Sequence, residues 1–180
     1  MSHSSVNLPL FPRLPAFALR GAPMVPLSLA LTVFARRIAS RHTGMFRRLG
    51  EFGQARFVLD PTDLPVSMLL HPCEGRPKVQ LSRRAQQGDA RIAGPLSGLL
   101  GLVHGAFDGD ALFFSRDLVI EGDTAAVVAL RNAIDDAELD LSVEAQAMSG
   151  PFAAQVKRLI ELAEAKTGVA LSRHEEVEAW

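Results

Sequence analysis

The 180 residues carry 19 Lys and Arg against 20 Asp and Glu, a net charge of −1, with 48% hydrophobic residues. That balance excludes disorder over most of the length, and it excludes a chain-wide basic surface of the kind that neutralises nucleic-acid phosphates. The size suits one domain with a sizeable core, and a single cysteine, Cys73, excludes an internal disulfide framework or a clustered thiolate metal site.

The charge is unevenly placed. Residues 1–50 hold Arg13, Arg20, Arg36, Arg37, Arg41, Arg47 and Arg48 and no acid, whereas the last third is rich in Asp and Glu. A basic front half is what an anionic membrane surface would attract, and it is equally what solvated helices display.

Residues 1–25 read as an irregular apolar arm. Pro9, Pro12, Pro15 and Pro23 each remove a backbone donor, so no long helix runs through them. Phe11 and Phe17 are large apolar side chains here that either pack on the domain or meet a membrane. The apolar run Ala22–Ala35 is too short to span a bilayer, which takes about 20 residues, and it sits too far in for an ordinary signal peptide. A reducing, cytoplasmic setting with peripheral contact at the inner membrane is the expectation.

From Pro26 the pattern is helical, with Leu27, Leu31, Phe34 and Ile38 on one face and Gly44 as the expected stop. Arg36, Arg37 and Arg41 near its end, with Phe11 and Phe17, are the candidate membrane contacts. The period then shortens. Runs at 56–60, 66–71, 78–82 and 90–93, separated by Pro and Gly, predict four strands in an antiparallel meander. A short helix at 95–104 and a fifth strand at 117–121 follow.

Asp123 or Thr124 caps the next helix, which buries Val127, Leu130, Ile134 and Ala137. A last helix begins after Gly150-Pro151, with Phe152, Val156, Leu159 and Ala163 on one face. Two closing helices are thus expected. The domain runs over 26–168, and 169–180 form a polar tail.

Chemistry is scarce along this chain. It has no phosphate-binding loop, dinucleotide fingerprint, zinc-protease motif or paired CxxC, so no cofactor and no metal are expected. His71 and Cys73 are the only Cys–His neighbours, but Pro72 between them makes a turn rather than a catalytic pair. An enzyme is not expected.

The segment Asp110–Thr124, DALFFSRDLVIEGDT, joins an apolar triplet, a basic position, an alternating strand and an acidic-Gly-Asp corner. It resembles the signature of the sterol carrier protein type-two domain. The helix after it, with Leu130, Arg131-Asn132, Ile134 and Asp135, is similar to the UbiT-like branch, accessory factors of oxygen-independent ubiquinone biosynthesis. The likeness spans about residues 8–165 in element order and is specific over 110–138. Two positions depart from the pattern: Asp117 stands where a second basic residue is usual, and Arg76-Pro77 interrupts a glycine-rich turn.

The resemblance implies an α+β fold: a mainly antiparallel five-stranded sheet covered by helices around an apolar tunnel. It implies a non-catalytic carrier of prenylated quinone intermediates, or of phospholipid, working with UbiU, UbiV and other ubiquinone-pathway enzymes. On that reading the lipid-contact candidates are Phe57, Leu59, Met68 and Leu70 from the sheet and Leu112, Phe113 and Phe114 from the triplet. Leu118, Ile120, Val127, Leu130 and Ile134 complete them. Alternative roles are general fatty-acid or phospholipid binding at a membrane, or a protein-interaction module whose core is solid.

Overall fold

The computed structural model describes residues 20–104, 118–137, 139–150 and 153–167. Helix α1 spans Met24–Arg41, two residues earlier than Pro26 suggests. Pro26 lies in the first turn, where a missing N–H breaks no intrahelical bond. The helix stops at His42, whose φ of −113° and ψ of 57° break the ladder, and α2 resumes at Thr43–Arg48. Gly44 is therefore inside α2 and is not the stop that its composition implied. A 3₁₀ turn at Gly50–Gln54 leads into the sheet.

The strands are β1 (Phe57–Pro61), β2 (Ser67–His71), β3 (Lys78–Ser82), β4 (Ala90–Gly94) and β5 (Val119–Gly122). They lie in the order β3-β2-β1-β4-β5. The meander expectation fails at one step: β4 returns beside β1 and runs parallel to it, with Phe57 opposite Ala90 and Pro61 opposite Gly94. The other pairings are antiparallel. Strand patterning reports which face a side chain takes but not which way the neighbour runs, so direction was invisible in the periodicity.

Edge strand β3 is covered by α1. Thr32 Oγ1 accepts from Val79 N and donates to Val79 O, both at 3.0 Å, and Ser28 Oγ accepts from Leu81 N at 2.9 Å. Arg36 Nε donates to Pro77 O at 3.2 Å. Four helical residues rise about 6 Å and two strand residues about 6.6 Å, so every fourth helix position meets every second strand position. Three polar side chains on one helix row thus satisfy backbone groups that an exposed edge leaves open to other chains.

After α3 (Leu96–His104) and β5, the chain turns into α4 (Thr124–Ala137). Gly122 has φ +82°, and a Cβ there would lie 2.4 Å from Asp89 O. Only glycine fits that corner. Asp123 N donates to Asp89 O at 2.9 Å, while its carboxylate caps α4 by accepting from Ala126 N at 3.0 Å. Among the described residues three helices follow β5 rather than two, because α5 (Leu141–Met148) precedes α6 (Ala153–Thr167). Asp140 caps α5 with bonds from Ser142 N and Val143 N at 2.8 and 3.1 Å. The expected positions Val156, Leu159 and Ala163 fall within α6, and Phe152 lies outside the described residues.

The packed centre is Phe57, Ala90, Leu118 and Ala126, with Ala126 and Phe57 fully buried. On the opposite sheet face, Arg91 pairs with Asp60 and, at 2.6 Å, with Glu121, tying β4 to both neighbours.

Candidate functional site

Away from that packed centre the interior is hollow. An apolar cavity of about 320 Å³, partly open to the surface, lies between the sheet and the helices. Its floor is the inner face of the sheet. Leu59 of β1, Met68 and Leu70 of β2, Val79 of β3 and Ile92 of β4 alternate onto this face because successive strand side chains take opposite sides. Its roof is helical. Leu31, Phe34 and Ile38 come from α1, Leu99, Leu100 and Val103 from α3, and Val127, Leu130 and Ile134 from α4.

Every lining residue among those described is apolar except Arg131, and the exposed wall is apolar almost throughout. The Arg131 guanidinium is turned along its helix, with Nε 3.4 Å from Asp135 Oδ2. Such a hollow departs from the close packing usual in protein interiors, where side chains fill the space they enclose.

One end of the cavity is bordered by Leu139 and Leu141, at the entry to α5. That helix is tied down by a buried acid. Glu144 accepts from Arg41 Nη1 at 3.0 Å and meets His42 Nε2 at 3.1 Å, joining α5 to the α1–α2 break. Burial pushes the Glu144 carboxyl up, but the hydrogen bonds from His42 and Arg41 outweigh it and hold the carboxyl below its ordinary value.

Of the lipid-contact candidates, Leu59, Met68, Leu70, Val127, Leu130 and Ile134 lie on the cavity wall. Phe57 and Leu118 are instead buried in the packed centre, and Ile120 packs against it. Leu112, Phe113 and Phe114 lie outside the described residues, as do Phe11 and Phe17. The three arginines diverge. Arg36 is bonded to Pro77 O and Arg41 to Glu144, while Arg37 is exposed.

Sequence reasoning names the arginines of α1 as candidate membrane contacts and does not place its inner face over the cavity. The signal was the Leu27–Leu31–Phe34–Ile38 spacing, which shows a buried face but not what it is buried against. Leu139 and Leu141, in an unrecognised helix entry, carried no such signal.

His71 and Cys73 flank Pro72 at the end of β2. His71 Nε2 lies 3.3 Å from Gln54 Oε1, and Cys73 opens a turn with φ +46°. Among the described residues no three His, Cys, Asp or Glu side chains are grouped to hold a metal ion, and no helix is long and apolar enough to cross a membrane.

Comparison with known proteins fits this geometry. The model of the SCP-2 sterol transfer family matches residues 43–135, a little over half of the chain. The chain belongs to that family. Membership accounts for the mixed sheet under helices, and it places the chain in a lipid-transfer family rather than a catalytic one.

Among solved structures, one described as "UbiJ-SCP2 Ubiquinone synthesis protein" superposes with a TM-score of 0.55 at 19% identity. The match covers 65% of this chain and 96% of that one. The apo form of sterol carrier protein 2 from Yarrowia lipolytica has a TM-score of 0.45 at 16% identity, covering 62% and 92%. At 19% identity the first of these likenesses is one of fold. No curated protein sequence matches the chain.

Proposed function

We propose that this SCP-2 family chain is a non-catalytic carrier that takes up prenylated ubiquinone precursors and presents them to biosynthetic enzymes. The observation that carries it is the unfilled apolar cavity of about 320 Å³ under α1, α3 and α4. An isoprenoid chain gains about 0.8 kcal/mol per methylene on leaving water, so it needs such a shelter to move outside a membrane.

The ubiquinone assignment draws on two supports, the likeness of Asp110–Thr124 and α4 to the UbiT-like branch and the shared fold with a ubiquinone-synthesis protein. UbiU and UbiV are the partners that the UbiT-like reading brings with it. The reading takes residues 26–168 as the carrier domain, 1–25 as a Pro-rich apolar N-terminal arm and 169–180 as a polar tail.

Organic extraction of the purified protein followed by mass spectrometry tests this. Prenylated quinone-pathway molecules are expected in the extract. Protein that is lipid-free and takes up none of them in vitro ends the proposal.

A second reading, general phospholipid or fatty-acid binding at an anionic membrane, is favoured by the outer face of α1. Val25, Leu29 and Val33 lie one turn apart there and are 72%, 61% and 57% exposed, beside exposed Arg37. Flotation with anionic vesicles distinguishes the two. Under this reading wild type floats and the Leu29→Ser/Val33→Ser double variant does not, and extraction recovers phospholipid in place of quinone precursors.

A further inference from the structure

We propose that α5 is a gate on the wall of the cavity, held shut by the bonds of Glu144 with Arg41 and His42 and opened when they part. This rests on the reading of the cavity as a lipid site and adds how exchange with that site is controlled.

The buried side of α5 is polar. A helix docked by the hydrophobic effect turns its apolar side chains inward. In α5 the buried residues are Ser142 and Glu144, whereas Val143 and Met148 are exposed. Leu141, half-buried on the cavity wall, is the apolar exception. Among the described residues the main packing partners of α5 are α1 and α6, and α6 packs in turn on α5. Glu144 makes the tie to α1, accepting from Arg41 Nη1 at 3.0 Å and meeting His42 Nε2 at 3.1 Å. Once parted, the charged groups regain water, so opening costs less than baring an apolar helix face would.

The tie joins two parts of the cavity wall. On one side is the break between α1 and α2, flanked by the wall residues Ile38, Met45 and Phe46. On the other are Leu139 and Leu141, at the entry to α5. Releasing Glu144 lets these two parts separate. At the far end of α5, Gly150 has φ +51°, and among the described residues no atom lies within 4 Å of where its Cβ would be. A left-handed glycine in open space lets the chain redirect there without a clash. Arg41, His42 and Glu144 all lie outside the 43–135 segment that matches the SCP-2 family, so the latch is built from what flanks that segment.

The test is stopped-flow uptake and release of the apolar fluorophore N-phenyl-1-naphthylamine by the full chain, in wild type, Glu144→Gln and Arg41→Met. Both rates scale with the open population, and a bond to a charged group changes that population by about tenfold or more. Glu144→Gln is therefore expected to speed uptake and release at least about tenfold each, with affinity changed less than about threefold. Arg41→Met leaves Glu144 with His42 and is expected to speed both by about threefold. Circular dichroism confirms that each variant is folded. In wild type, amides of α5 are expected to exchange with deuterium at least about tenfold faster than those of β1, because the gate opens without unfolding the sheet.

Uptake and release within about twofold of wild type in Glu144→Gln, or weakened affinity with uptake unchanged, overturns the gate and leaves the lipid site intact. So do α5 amides as well protected as those of β1. Failure of wild type to take up the fluorophore overturns the lipid-site reading itself.

Discussion

The two ends of the interior are built to opposite rules. Around Phe57, Ala90, Leu118 and Ala126 the sheet and α4 close on one another in a buried cluster. Two residues further along the same strand, Leu59 faces a hollow with Met68 and Ile92. Both regions are apolar, so hydrophobicity alone does not distinguish them. Spacing does. Small residues, Ala90 and Ala126, let the backbones approach at the packed end, and the corner at Gly122 draws β5 and α4 onto β4. At the other end α1 is held off the floor by its attachment to the β3 edge through Ser28, Thr32 and Arg36. The packed end holds the fold together, and the hollow end is thereby free to remain unfilled.

Substitutions at the two ends should therefore separate stability from binding. The largest effect is expected at Phe57→Ala, which removes a fully buried ring and should cost about 3–5 kcal/mol in chemical denaturation. A cost under about 1 kcal/mol would show that the packed end is not what holds the fold. Next is Gly122→Ala, where a left-handed backbone meets a carbonyl too close for a methyl group. At least about 2 kcal/mol should be lost, seen as a lowered melting midpoint.

The latch at the rim of the hollow end comes third. Glu144→Gln keeps the shape and removes the charge facing Arg41 and His42, and should cost about 2 kcal/mol at neutral pH. Because the folded Glu144 carboxyl is held below its ordinary value, its stabilisation is present above the ordinary carboxylate range and disappears as pH falls through the folded value. Denaturant midpoints measured from neutral to acid pH should converge for wild type and variant; a gap that persists in acid would remove the charge from the explanation.

The smallest stability change and the largest loss of binding are expected together at Ile134→Phe, which adds volume to the cavity wall. Stability should move by less than about 1 kcal/mol, because the new ring enters empty space. Capture of isoprenoid, read as displacement of the apolar fluorophore N-phenyl-1-naphthylamine by an isoprenoid alcohol, should fall at least tenfold. A large destabilisation with binding intact would mean that the hollow is filled in solution.

Much of this molecule was readable along the chain. The five strands, α1, α3, α4 and α6 each announce themselves through period, proline and glycine, and the Glu121-Gly122-Asp123 corner declares both the end of β5 and the cap of α4. Helix α5 escaped because Leu141–Met148 is short and lacks a long apolar stripe, although Asp140 stood ready as its cap. Of the wall, Leu59, Met68, Leu70, Val127, Leu130 and Ile134 were legible as inward positions, and so were Phe57 and Leu118, which are buried in the packed centre.

That last pair marks the boundary. Local sequence determined which side of each strand and helix is apolar, because periodicity is set by backbone geometry within a few residues. Whether an inward side chain meets another side chain or an empty volume depends on how far apart two elements are held. That distance is fixed by contacts remote in sequence: Thr32 with Val79, Gly122 with Asp89, Glu144 with Arg41 and His42. The parallel return of β4 beside β1 was decided in the same way, by pairing across some thirty residues rather than by any pattern within either strand.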